Sequence, residues 1–206
     1  MLPARLVLIA DRFTEERRLE HALAAVRGGI RWVHLRDHEA GPEAFDAAAR
    51  TAIPRLRAAE ETVHISVNAR LNTAVDHDTS LHVGRRGPSA AAARPQLGDD
   101  ALIGYSAHEE VEAEGELASQ VDYFFFSPVY PTPSKPDHPG MGIPALRTFC
   151  NAARPTPVLA LGGITPERVA DCRAAGAYGV AVLSGIMEAP TPQAATRAYR
   201  RALAPA

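Results

Sequence analysis

Eight short apolar runs, each followed by a stretch with helix-forming composition, leave this chain few ways to fold. The runs are RLVLIA (5–10), WVHLR (32–36), TVHISV (62–67), LHV (81–83), LIGYS (102–106), VDYFFF (121–126), PVLAL (157–161) and YGVAVL (178–183). Between them lie segments such as EERRLEHALAAVRGG and PEAFDAAARTAIPRLRAA. Near-continuous apolar strands joined by helices belong to parallel sheets covered on both faces. Eight such units predict a small α/β (β/α)8 TIM barrel. An open doubly wound sheet is the alternative, but it usually has fewer strands. No linker divides the chain, so residues 1–206 are expected to form a single TIM-barrel domain. The apolar share, 46% of 206 residues, is enough to fill its core.

The net charge of −2 argues against nucleic acid or an anionic membrane surface as a partner. No apolar run reaches the roughly 18–20 residues that span a bilayer. The N-terminal apolar stretch is cut short by Asp11 and Arg12, so no secretory signal is expected. The two cysteines, Cys150 and Cys172, show no metal or redox spacing, and the eight histidines show no metal-ligand pattern. A reducing cytoplasm is the plain inference. The oligomeric state stays open, a homo-oligomer among the options.

In a barrel of this kind the active site lies at the C-terminal ends of the strands. Gly162 and Gly163 follow the seventh strand, and Ser184 and Gly185 follow the eighth. Glycines let a ligand approach the backbone N–H groups, and the loops after strands seven and eight commonly hold phosphate. Thr165, Pro166 and Glu167 read as the cap and first turn of the next helix. Arg36 and His34 alternate on strand two, so both can point into the barrel mouth. A guanidinium there suits a phosphate or a diphosphate. The plainer roles are an ion pair with Asp11 or Asp37 for Arg36 and a core hydrogen bond for His34. Asn68, ending strand three, can bind a heterocycle or cap a helix. Ser106 and Glu109 read as a capping box, with His108 a solvated first-turn residue. The segment 127–144 holds six prolines and cannot be regular structure. It carries Lys135 beside Thr132 and Ser134, held stiffly enough to serve an anion.

DYFFFSPVYPTPSKP, PVLALGGITPERVADCRAAGAYGVAVLSGIM, WVHLRDH and IGYSAH resemble the thiamine phosphate synthase / thiazole tautomerase (TenI-like) superfamily, most specifically over strands six to eight. The resemblance covers nearly the whole chain and implies the same (β/α)8 fold. It implies phosphorylated small-molecule partners, a thiazole phosphate and a hydroxymethylpyrimidine diphosphate, and a thiamine-biosynthetic transferase that joins them with release of diphosphate. By position, Arg36, Asn68, Ser106 and Lys135 would face the diphosphate and pyrimidine. Thr132, Ser134, Gly162, Gly163, Leu183, Ser184 and Gly185 would hold the thiazole phosphate. His34 and His38 stand where the family has Gln and Lys.

The resemblance also implies Mg²⁺, held by two aspartates. Their positions carry Ala69 and Gly87. No metal ligand is therefore named and no cofactor is assigned; Mg²⁺ stays an option through other acids such as Asp37 or Glu39, and Arg85 and Arg86 are candidates to supply part of the missing positive charge. Loss of the metal ligands is a trait of the tautomerase branch, in which His34 would carry the proton. That branch's loop histidine corresponds here to Pro128, as in the synthases. Three readings stay open: a synthase, a tautomerase, and a non-catalytic protein that binds thiazole phosphate.

Overall fold

A computed structural model describes residues 1–204. Eight parallel strands close into a barrel in chain order: β1 (Leu6–Asp11), β2 (Trp32–Arg36), β3 (His64–Asn68), β4 (Ser80–Val83), β5 (Ile103–Ala107), β6 (Tyr123–Phe126), β7 (Val158–Leu161) and β8 (Gly179–Val182). The ring closes where Leu6, Val7 and Leu8 of β1 pair with Val180, Ala181 and Val182 of β8. Nine helices lie among the described residues: α1 (Glu16–Arg27), α2 (Pro42–Ala59), α3 (Leu71–Asp76), α4 (Ala90–Ala93), α5 (Gly115–Gln120), α6 (Gly142–Ala152), α7 (Val169–Ala174), α8 (Ser184–Met187) and α9 (Pro192–Leu203).

The period of two along each strand makes two cores. Leu8, Val33, Ile65, Leu81, Ile103, Phe124, Val158 and Val180 point outward and pack under the helices. Val7, Ile9, Trp32, Tyr123, Phe125, Leu159 and Ala181 point inward and fill the barrel. α1 buries Leu19, Ala22, Leu23 and Val26, a spacing of three and four that lays one stripe on the sheet. Polar residues share the interior. Trp32 Nε1 donates to Ser66 Oγ at 3.2 Å, and His34 Nδ1 lies 3.1 Å from the same oxygen. His82 joins Tyr123 Oη (3.1 Å) to Ser106 Oγ (2.9 Å), and its ring stacks on Phe125 at 4.2 Å. Gly104 makes room for these rings: a Cβ there would lie 2.1 Å from Tyr123 Cζ and 2.4 Å from His82 Nδ1.

Two strand starts move by two residues from the expected bounds, and those of β1, β4, β5, β7 and β8 move by one. β3 opens at His64, not Thr62, whose hydroxyl binds Glu60. β6 opens at Tyr123 because the Asp122 carboxylate takes the Ile103 N–H at 2.7 Å. The expected Ser106–Glu109 capping box is also corrected. β5 runs on through Ala107, so Ser106 stays a strand residue, and the box forms between Glu109 and Glu112.

Candidate functional site

The C-terminal ends of the strands frame three adjoining cavities, of which two hold all the candidate residues between them and the third opens over Asp11, Arg12, Arg36, His38 and Glu188. The first, about 270 Å³, is lined by the ends of β7 and β8 together with Thr132, Ser134, Lys135, Arg36 and His38. The second, about 570 Å³, lies over β2 to β5 and is lined by His34, Asn68, His82, Ser106, Arg85 and Arg86 among others. Ile9, Arg36, His38, Ser127, Lys135 and Leu161 line both.

In the first cavity the backbone supplies the donors. Gly162 (φ 96°) and Gly163 (φ 63°) take left-handed conformations after β7, a region costly for residues with a Cβ. After β8, α8 starts at Ser184, and its first turn leaves N–H groups with no intrahelical acceptor. Among the described residues, no backbone carbonyl outside the regular elements accepts from the N–H of Gly162, Gly163, Leu183, Ser184 or Gly185. All five residues line the cavity.

The reason for the two glycines differs from the expected one. What crowds their missing side chains is the chain's own proline-rich loop. A Cβ on Gly162 would lie 2.7 Å from Pro128 Cα, and one on Gly163 would lie 2.4 Å from the Pro131 oxygen. The loop is laid against β7 by Val129 N–H to Leu161 O (2.9 Å) and Tyr130 N–H to Gly162 O (3.0 Å). It then turns back on itself, with Lys135 N–H on Thr132 O at 3.0 Å, and this turn brings Lys135 to the wall between the cavities. Thr165 does occupy the N-cap position before Pro166, but its side chain caps no backbone N–H.

At the shared wall, Arg36 Nε donates to Asp11 Oδ1 at 2.8 Å, so the ion pair and the cavity-lining position coexist. The Lys135 ammonium is held below its usual pKa, first by partial burial and then by the Arg36 charge. His38 is lowered in the same way. His34 is buried, and burial followed by the charges of His82 and Arg36 pushes its pKa well below the ordinary histidine value. Burial takes His82 down to about 3. Both rings are therefore neutral near pH 7 and act as hydrogen-bonding groups.

Arg36, Lys135, His34, His38, Asn68, Ser106, Thr132, Ser134 and the residues after β7 and β8 expected to face the substrates each line one cavity or the other. Asn68 caps no helix, since α3 begins at Leu71. His108 is not a solvated first-turn residue: its Nδ1 lies 2.6 Å from Ser127 O, and it lines the second cavity. His82 was not singled out, although a polar residue between Leu81 and Val83 on a buried strand marks an inward position.

The residues present do not fit Mg²⁺. Ala69 holds φ 55°, and a Cβ built on Gly87 would lie 3.6 Å from its own. The two positions thus adjoin, and neither offers a side-chain oxygen. Among the described residues, no group of three His, Cys, Asp or Glu could hold a metal.

A closed eight-stranded α/β barrel with joined cavities at its C-terminal mouth defines a (β/α)8 barrel with its candidate site at the strand ends. The model of the family described as thiamine monophosphate synthase matches residues 6–186, and the chain belongs to that family. A putative thiamine-phosphate synthase from Geobacter sulfurreducens is 35% identical over 97% of this chain and 94% of its own length. A thiamine-phosphate synthase from Saccharopolyspora erythraea is 35% identical over 97% and 93%. The solved thiamine phosphate pyrophosphorylase from Pyrococcus furiosus superposes with a TM-score of 0.81 at 24% identity, covering 96% of this chain and 94% of that one, a likeness of fold.

Proposed function

We propose that this chain is a thiamine-phosphate-synthase-like transferase. It joins hydroxymethylpyrimidine diphosphate to thiazole phosphate with release of diphosphate. The observation that carries the reading is the shared wall: two cavities of substrate size meet at Arg36, His38, Ser127 and Lys135. In this reading the thiazole phosphate sits on the N–H groups of Gly162, Gly163, Leu183, Ser184 and Gly185, with Thr132 and Ser134 closing over it. The pyrimidine lies in the second cavity against Asn68, Ser106 and His34. Its diphosphate reaches the shared wall.

The C–O bond between the pyrimidine methylene and the diphosphate breaks, and its electron pair leaves with the diphosphate. The thiazole nitrogen lone pair then forms the new C–N bond. No general base is needed. What lowers the barrel-mouth barrier is stabilisation of the departing negative charge, a task for Arg36 and Lys135. His34 speaks against proton-transfer isomerisation. It is buried, it is bonded to Ser66, and its pKa is pushed well below the ordinary value, so it is a poor carrier of protons near neutral pH. The buried thiols Cys150 and Cys172 suit a cytoplasmic enzyme.

The test is to incubate the purified protein with both substrates and measure thiamine phosphate and diphosphate by chromatography. Equal amounts of both products are expected. Lys135→Ala should lower kcat/KM by about 100-fold, the usual loss for a group that stabilises transition-state charge. Absence of thiamine phosphate at any substrate concentration would sink the reading.

A further inference from the structure

We propose that the second cavity binds diphosphate without a divalent cation, its charge met by arginine and lysine side chains with Arg86 the decisive addition. This rests on the transferase reading above and specifies how its leaving group is held.

The cavity lining carries Arg36, Arg85, Arg86 and Lys135 and not one carboxylate. A protein site for Mg²⁺ normally contributes one or two carboxylates alongside the substrate's phosphate oxygens. No carboxylate lines the cavity to serve as a metal ligand, and the cations left without a partner attract a polyanion.

The four are not equivalent. Arg36 spends part of its charge on Asp11 at 2.8 Å. Arg85 is braced from behind, 2.7 Å from Glu109 Oε1 and 3.0 Å from Glu112 Oε1. Glu112 is itself fixed by the N–H groups of His108 (2.7 Å) and Glu109 (2.9 Å). Neither glutamate lines the cavity. Arg85 therefore anchors the β4–α4 loop, and its charge is largely compensated. Arg86, the next residue, is exposed and has no carboxylate within ion-pair distance among the described residues. Lys135 is likewise unpaired among the described residues and lines the same cavity. A guanidinium offers two parallel donors to a phosphoryl group, as a metal offers two coordination positions to its oxygens. Arg86 adjoins Gly87, whose place beside Ala69 is where the carboxylates are missing, and all three residues line the cavity.

The probe is inorganic diphosphate, titrated calorimetrically into the intact protein in EDTA and again in excess Mg²⁺. The expected affinities agree within about three-fold. Arg86→Ala should weaken binding in EDTA about ten-fold, the worth of one charge-assisted contact. Arg197→Ala, a change of equal charge on exposed α9 outside both cavities, should leave it unchanged. Diphosphate that binds only when Mg²⁺ is added, or an R86A protein that binds as tightly as its parent, overturns the inference.

A second variant reads the same point in the opposite direction. Ala69 already holds the left-handed conformation that aspartate tolerates, and a side chain at Gly87 meets only ordinary contacts. A69D/G87D should therefore bind diphosphate at least about ten-fold more tightly with Mg²⁺ than with EDTA. A folded double variant indifferent to Mg²⁺ would overturn the placement. The transferase reading fails separately. Metal-free binding with no thiamine phosphate formed removes the reaction and keeps the subsite; product formed only with Mg²⁺ does the reverse.

Discussion

Gly163 and Gly87 are both glycines at the barrel mouth, and they answer to opposite physics. Gly163 needs its missing Cβ twice: its φ is 63°, and an added carbon would lie 2.4 Å from the Pro131 oxygen and 2.8 Å from Tyr130 Cβ. The neighbours cannot yield easily, because Tyr130 is held between the Gly162 carbonyl at 3.0 Å and the Arg168 guanidinium 4.4 Å over its ring. Gly163→Ala should therefore cost about 2–4 kcal/mol in urea unfolding, the sum of backbone strain and a displaced loop. It should also weaken binding of thiazole phosphate, because the loop that shifts carries Thr132 and Ser134. Gly87→Ala meets nothing closer than 3.6 Å and should change stability by less than about 0.5 kcal/mol. Equal costs at the two positions would show that the crowding at Gly163 is misread.

β4 shows what an element adds to its residues. His82 sits at its inward position, enclosed by Tyr123, Phe125 and Ser106, and burial lowers its pKa from 6.5 to about 3. Between those two values the unfolded chain carries a proton on this ring that the folded chain does not. Stability must then fall as pH falls below 6.5, by about 1.4 kcal/mol per pH unit for this residue alone. His64, lowered to about 4 by burial, adds to the same slope. Urea midpoints at pH 6.5, 6.0, 5.5 and 5.0 test this. His82→Gln should make the slope shallower by about one proton, whatever it does to stability at pH 7. An unchanged slope would mean that the ring is protonated inside the barrel. The elements themselves were legible because continuous apolar runs of four to six residues have few other uses. The ends were less so. Asp122 substitutes its carboxylate for a strand partner, and Ser106 satisfies a cap pattern that a longer β5 preempts. Local spacing cannot reveal either, since both are settled by residues on another strand or beyond the strand end. His82 escaped notice for a related reason: its purpose depends on the rings of β6, about forty residues later.

In the whole molecule, the last helix described meets the first. α9 packs on α1, with Gly28 allowing the approach, since a Cβ there would lie 2.8 Å from Gln193 O. That packing delivers Tyr199 to the back of the first cavity. Its hydroxyl donates to Ile164 O at 2.9 Å, just past the glycine pair. The same oxygen fills the space beside Gly185, where a Cβ would lie 2.1 Å away. One phenol thus holds the loop after β7 and the start of α8 at a fixed separation, and those are the two sources of unpaired N–H groups. The glycines are visible in the sequence, but the brace that spaces them is not, because nothing local to Tyr199 ties it to a loop 35 residues earlier. Tyr199→Phe removes the hydroxyl and leaves a buried carbonyl without its partner, a loss of about 1–2 kcal/mol. The ring still fills its place, so the protein should fold and the barrel should persist. What should suffer is the register of the two loops. The KM for thiazole phosphate is expected to rise about five- to ten-fold while kcat changes less than two-fold, since the leaving-group side of the mouth is untouched. A fall in kcat at constant KM would place the effect of Tyr199 on the chemical step and refute its role as a spacer of the cradle.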